Sequence, residues 1–421
     1  MKKYIYILLI ISGLTSCSPT KHQLKKQTTQ VLKDTIFKNQ FLGVLIYDPI
    51  KKDTLISLNS DKYFLPASNT KIFTLYTALQ TLPEKIPALK YVSINDTLYI
   101  KGTGDPTFMH SYFKDSTTIS FLRKYKNINL YLDNFESERY GPGWAWDDYE
   151  YYYQPERSSF PIYGNVATIS KKESLQVHPD FFRNEVIELV HHKRREMYRN
   201  TFYYNPGSND TIETPFMVDK VLIKTLLESA LDKKIKLSDS FPIGEIKTLY
   251  SVSSDSVYKR MMDVSDNFLA EQLLVLSSAT LSDTLSVEKA QENILKNQLS
   301  DLNEMPRWVD GSGLSRYNLF SPKSFIQILE KLYKDQPKER LFNLFPMKGR
   351  FEAAADSIEN GTPYIYAKSG SFGNNYSLSG YLLTKSGKVL IFSFMNNHYR
   401  EATTDLQKRM YAIFENLRDH Y

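Results

Sequence analysis

Pro66-Ala67-Ser68-Asn69-Thr70-Lys71 decides how this chain of 421 residues reads. A serine and a lysine stand three apart, and apolar Ile72, Phe73, Leu75, Tyr76, Ala78 and Leu79 follow. The pattern predicts a helix start, where positions i and i+3 share a face and the Ser68 hydroxyl can reach the Lys71 amine. A neutral amine there can accept the serine proton and make a weak nucleophile usable. The spacing alone is common. Ser256/Lys259 and Ser286/Lys289 repeat it, and exposed helices carry such pairs for no chemical reason. The rest of the chain must decide between them.

Working outward, residues 41–47 form an apolar strand run, Asp48-Pro49-Ile50-Lys51-Lys52-Asp53 a turn, and 54–58 a returning strand. Ser68 thus follows a hairpin and precedes a helix. The far end mirrors this: runs over 376–384 and 388–395 flank a Lys385-Ser386-Gly387 turn. Leu406, Met410, Ile413, Phe414 and Leu417 then recur at helical spacing. Two hairpins, one from each end, predict one antiparallel sheet with terminal helices over it.

Between about 91 and 244 the chain is strand-rich, aromatic and punctuated by turns such as Gly102-Thr103-Gly104-Asp105-Pro106 and Gly141-Pro142-Gly143. The glycines before Asp105 make no phosphate loop, because no Lys-Ser/Thr or dinucleotide spacing follows. This stretch reads as one or two smaller domains inserted into the terminal one. Helical periodicity returns over 246–300, where Ser265-Asp266-Asn267 opens an apolar helix as an N-cap would. Asp310-Gly311-Ser312-Gly313-Leu314-Ser315-Arg316 precedes a helix over 322–333, and Lys368-Ser369-Gly370-Ser371 follows a strand-like run.

Composition bounds the rest. With 42% hydrophobic and 24% charged residues the chain can bury a large core, in two or three domains. The formal charge of +6 is mild and falls by two without Lys2 and Lys3. No dense Lys/Arg stripe speaks for nucleic acid, and His191-His192-Lys193-Arg194-Arg195 reads as a solvated surface. The single cysteine, Cys17, permits no internal disulfide. Lys2 and Lys3, the short apolar run 4–14 and Leu14-Thr15-Ser16-Cys17 resemble a bacterial lipobox, in which the cysteine becomes the lipidated first residue. Residues 1–16 are then a signal peptide, and polar 17–30 a tether. The expected location is the cell envelope or periplasm, lipid-anchored to a bacterial membrane.

Ser68/Lys71, Ser265-Asp266-Asn267 and Lys368-Ser369-Gly370 stand in the order known from class A β-lactamases and penicillin-binding proteins. Context sets aside the chance repeats. Lys385-Ser386-Gly387 lies in a hairpin turn, and Ser57-Leu58-Asn59 and Ser93-Ile94-Asn95 lie in strand patterns with no helix after them. The chain resembles the D-alanyl-D-alanine carboxypeptidase/endopeptidase family of class C low-molecular-mass penicillin-binding proteins. The resemblance rests on residues 64–71, 102–107, 141–148, 265–267, 310–316, 368–371 and 378–381, and spans most of 41–397. Ser265 follows Ser68 by 197 residues, a gap this family fills with inserted domains. Ser369 replaces the usual threonine and keeps the hydroxyl; 341–361 follows the family pattern poorly.

The resemblance implies an α+β fold: a penicillin-binding-protein/serine β-lactamase-like domain, an antiparallel sheet flanked by helices, from 31–90 and 245–421. Strand-rich 91–244 would be inserted after the SxxK helix. It implies hydrolysis of D-Ala-terminated peptidoglycan stem peptides or cross-links through an acyl-serine, with β-lactams as covalent inhibitors. Ser68 would be nucleophile, Lys71 its base, Ser265 a proton relay and Asn267 a substrate-amide ligand. Lys368 and Ser369 would bind the terminal carboxylate, beside Gly370, and the N–H groups of Ser68 and Ser371 would form an oxyanion hole. Trp144, Arg316 and either Asp147 or Asp148 would meet the stem peptide. The alternative for Trp144, Trp146 and the tyrosines at 149 and 151–153 is packing of the inserted domain. No cofactor or metal is expected, since His110, His178, His191, His192 and His398 lack metal-ligand spacing. The rival readings are a non-catalytic peptidoglycan- and penicillin-binding protein, and a β-lactamase-like hydrolase on the same fold.

Overall fold

The computed structural model describes residues 21–346 and 363–421. The expected signal segment 1–16 and Cys17 lie outside the described residues, as does most of the departure at 341–361. The described chain divides into two compact units. One holds the residues up to Asn69, Asn303–Pro306 and Leu319–Tyr421; the other holds Thr70–Leu302 and Arg307–Asn318. These packing units cut the chain at other points than the expected 31–90, 91–244 and 245–421.

The first unit is built on five antiparallel strands in the order Ile365–Phe372, Asn375–Leu383, Val389–Asn397, Phe41–Asp48, Asp53–Leu58. Both chain ends contribute a hairpin, as their apolar runs and turns predict. Almost every residue of Asn375–Leu383 and Val389–Asn397 is buried, which explains runs without polar alternation: both faces are covered. One face carries Val44, Ile46, Leu378, Phe392 and Phe394, packed with Leu406, Met410 and Phe414 of helix Thr403–His420. Helix Pro322–Asp335, capped by Ser321 and opened by Pro322, also packs on this sheet.

The tether expectation fails for 21–30. Lys21–Leu32 is a helix that packs on Asp53–Leu58 and Thr403–His420. Leu24, Thr28 and Leu32 are its buried residues, spaced i, i+4 and i+8 along one face. That narrow apolar stripe, between lysines and glutamines, suffices because the rest of the helix faces solvent.

The second unit has a mixed five-stranded sheet in the order Lys236–Leu237, Asn127–Tyr131, Thr97–Gly102, Lys85–Ile94, Lys247–Ser253. It also has an antiparallel three-stranded sheet of Ile212–Pro215, Val166–Lys171 and Leu175–His178. Its helix Asn267–Leu281 is buried over most of its length, as its apolar circumference requires. Helix Lys71–Thr81 packs along it.

Candidate active site

The second unit holds Lys71, the expected base. A 3₁₀ turn, Ala67–Thr70, runs directly into helix Lys71–Thr81, so Ser68 and Lys71 belong to one continuous helical run. Lys71 is fully buried. Its Nζ donates to Asn267 Oδ1 at 2.6 Å and to the Ser312 carbonyl at 2.7 Å. Burial pushes the amine down to about 8, against the pull of Asp310, Glu271 and Asp266 toward the charged form. An amine so placed can release its proton near neutrality, as a general base must.

Both of these partners are themselves held. Asp266 caps helix Asn267–Leu281 by accepting from the Leu269 N–H at 3.0 Å, which fixes Asn267 at the first helical position. Asn267 Nδ2 donates to the Tyr153 carbonyl at 3.0 Å, so both ends of its amide are engaged. Ser265, just before the cap, has φ +58°, a left-handed conformation costing a non-glycine residue about 1–2 kcal/mol. Such strain is found where surrounding structure enforces a geometry.

The Ser312 carbonyl sits in the 310–316 loop, organised by the buried Asp310 carboxylate. That group accepts from Trp144 Nε1 at 2.8 Å, Gly313 N at 2.9 Å, Ser315 N at 2.6 Å and Asn318 Nδ2 at 2.7 Å. Thr74, one turn beyond Lys71, donates its hydroxyl to the Gly311 carbonyl at 2.6 Å. Glu271 accepts from Ser312 N at 2.7 Å through Oε1 and from Arg157 Nε at 2.9 Å through Oε2. Sequence reasoning passed over Glu271 and Arg157. The available signal was Glu271-Gln272 inside an otherwise apolar helix; nothing marks Arg157.

Of the expected stem-peptide residues, Trp144 is partly buried between the Asp310 carboxylate and the Arg157 guanidinium, whose carbon lies 5.2 Å from the ring centre. Asp147 is exposed and Asp148 partly buried, both in the 3₁₀ segment Trp146–Glu150. Burial, then the Asp148 carboxylate, raises the Tyr153 phenol above its ordinary range. Arg316 is exposed on the 310–316 loop.

In the first unit, Ser68 is partly buried and follows Ala67, which has φ +47°. Asn69 Nδ2 donates to Ser379 Oγ at 2.9 Å, and Ser379 Oγ donates to Ser393 Oγ at 2.8 Å. The serine's turn is thereby tied to two neighbouring strands of the sheet. Lys368 is buried and donates to the Ser369 carbonyl at 2.9 Å; Ser369 is partly buried and Ser371 exposed. Gly370 lies against the Ser68 turn: a Cβ there would stand 2.4 Å from the Pro66 carbonyl oxygen and 2.7 Å from Ser68 N. Only glycine lets the two backbones approach so closely.

The fold is that of a penicillin-binding protein. The structure of penicillin binding protein 4 (dacB) from Haemophilus influenzae superposes with a TM-score of 0.67 at 21% identity, over 93% of this chain and 98% of that one. The chain belongs to the D-Ala-D-Ala carboxypeptidase 3 (S13) family, which it matches over residues 24–185 and 218–417. Among curated relatives, D-alanyl-D-alanine carboxypeptidase DacB of Haemophilus influenzae is 22% identical over 87% of each chain. Penicillin-sensitive carboxypeptidase A of Dictyostelium discoideum is 23% identical over 86% of this chain and 83% of its own.

Proposed function

We propose that this protein is a serine DD-carboxypeptidase and DD-endopeptidase of the bacterial envelope, acylated by penicillins and lipid-anchored through Cys17. Ser68 attacks the carbonyl of the penultimate D-alanine, and Lys71 takes its proton. Ser265 passes a proton to the leaving amine. Asn267 turns from Lys71 and Tyr153 to the substrate amide. Lys368 and Ser369 bind the terminal carboxylate, by charge and by hydroxyl, and the N–H groups of Ser68 and Ser371 hold the oxyanion. Water then hydrolyses the ester. Trp144, Arg316 and one of Asp147 and Asp148 meet the stem peptide, and 91–244 is the inserted region that carries the aspartates.

The observation that supports this most is the buried Lys71 amine, hydrogen-bonded to the SxN asparagine and pushed down to about 8. An inert scaffold protein has no need of a costly buried lysine. Fluorescent penicillin should label the full chain covalently, and Ser68→Ala should abolish the label. Digestion of purified cell wall should release D-alanine or cleaved cross-links. Rapid penicillin turnover with no product from pentapeptide muropeptides would replace this reading with the β-lactamase-like one.

A further inference from the structure

Arg157 and Glu271 form an ion pair fully buried within the second unit. Arg157 Nε and Nη2 donate to Glu271 Oε2 at 2.9 and 2.6 Å, and both side chains are almost wholly inaccessible. The pair is tied to the chemistry by a short path. Glu271 Oε1 accepts from Ser312 N at 2.7 Å, and the Ser312 carbonyl accepts from Lys71 Nζ at 2.7 Å. Gln272, the next residue, accepts from Ser158 N at 3.0 Å and donates back to the Ser158 carbonyl at 2.9 Å. Helix Asn267–Leu281 therefore grips both residues of the Arg157-Ser158 segment. Arg157 Nη1 finds no hydrogen-bond partner among the described residues, so packing alone would be served better by an apolar side chain.

The carboxylate meets two conflicting demands. It must hold the Ser312 loop, which sets the acceptor for Lys71. Its negative charge also favours the protonated lysine, and a protonated lysine cannot serve as base. Among the charged groups acting on Lys71 are Asp310 of the loop, Glu271 of the helix and Asp266 at its cap, all acidic. Arg157 is the cation bonded directly to one of them.

We propose that Arg157 is a positioning residue: paired with Glu271, it lets that carboxylate fasten the Ser312 loop without keeping Lys71 charged. The inference rests on the acyl-serine reading above, and its test separates the two. The rate of acylation by fluorescent penicillin is measured against pH for the full chain, for Arg157→Met, for Glu271→Gln and for the two combined. In the unaltered chain the rate rises with pH as Lys71 loses its proton. Arg157→Met moves that rise to higher pH by about one unit, lowering the rate at pH 7 about tenfold while the alkaline plateau is regained. Glu271→Gln keeps an acceptor for Ser312 N, leaves Arg157 uncompensated and moves the rise to lower pH. The combined variant, which exchanges the ion pair for neutral groups, returns it to near the original pH.

A folded single variant whose rise stays in place, or two singles that shift in the same direction, overturns the proposal. Failure of either single to fold leaves the other and the combined variant to decide, and a combined variant with a displaced rise overturns it as well. If the unaltered chain takes no label at any pH, it is the acyl-serine reading that falls.

Discussion

The Lys71 amine and the Asn267 side-chain carbonyl stand 2.6 Å apart, joined across 196 residues of chain. The contact ties the asparagine's side-chain oxygen to the buried lysine. Replacing Lys71 by arginine keeps a cation but removes a group able to become neutral. Lys71→Arg should lower the acylation rate by about 10²–10⁴-fold, read by labelling with fluorescent penicillin, while circular dichroism stays native.

Acylation should depend on pH in a definite sense. The Lys71 amine is pushed down to about 8, and the base role proposed for it requires the neutral form. The rate should therefore climb with pH and level off above about 8, with roughly a tenth of the plateau at pH 7. The same shift fixes a stability trend. Between about 8 and the ordinary 10.5 the unfolded chain holds a proton that the folded chain has released. Stability owed to this group thus rises with pH across that window. Urea unfolding of the unaltered chain, relative to Lys71→Met, should show the gain between pH 8 and pH 10; a constant difference would contradict it.

Gly370→Ala should damage both fold and activity. The added methyl meets the Pro66 carbonyl oxygen at 2.4 Å and Asn69 N at 2.8 Å, backbone atoms that cannot rotate aside. A cost of about 1–3 kcal/mol is expected, together with loss of penicillin labelling, since the Ser68 turn must shift. Gly373, at the following hairpin, has open space around it, and Gly373→Ala should leave the melting temperature nearly unchanged.

Asp310→Ala would strip four donors of their acceptor: the Trp144 indole, the Gly313 and Ser315 amides and the Asn318 amide group. A loss of about 3 kcal/mol is expected from the buried groups left unpaired. Tryptophan fluorescence should shift as Trp144 is freed, and acylation should slow because the Ser312 carbonyl is no longer fixed.

Cys17→Ala should abolish incorporation of labelled palmitate and move the protein from the membrane to the soluble fraction. Acylation by penicillin should be unaffected, because the residues proposed to perform it all lie beyond the anchor.

The sheet was readable from text because each hairpin at 41–58 and 376–395 is an apolar run, a polar turn and an apolar run. Ser265-Asp266-Asn267 was readable as a cap because an aspartate before an apolar helix has a physical reason to be there. Other features left no such mark. Helix Lys21–Leu32 carries so few apolar residues among its lysines and glutamines that it reads as a tether, and only its neighbours make it a helix. The engagement of Asn267 by Tyr153, and of Glu271 by Arg157, links residues 114 apart; such pairings have no periodicity to detect. The work of Asp310 is equally silent, since a Gly-rich loop does not say which of its side chains gathers the amides.

Helix Lys21–Leu32, folded onto the sheet rather than trailing from it, would set how far a lipid-anchored form of the enzyme could roam. With Cys17 as the lipid-bearing residue, three residues, Ser18 to Thr20, would lie between it and the first helix. The four steps from Cys17 to Lys21 could span at most about 14 Å. On the lipid-anchored reading, so short a reach would hold the enzyme against the membrane face, where it would trim the wall layer nearest to it.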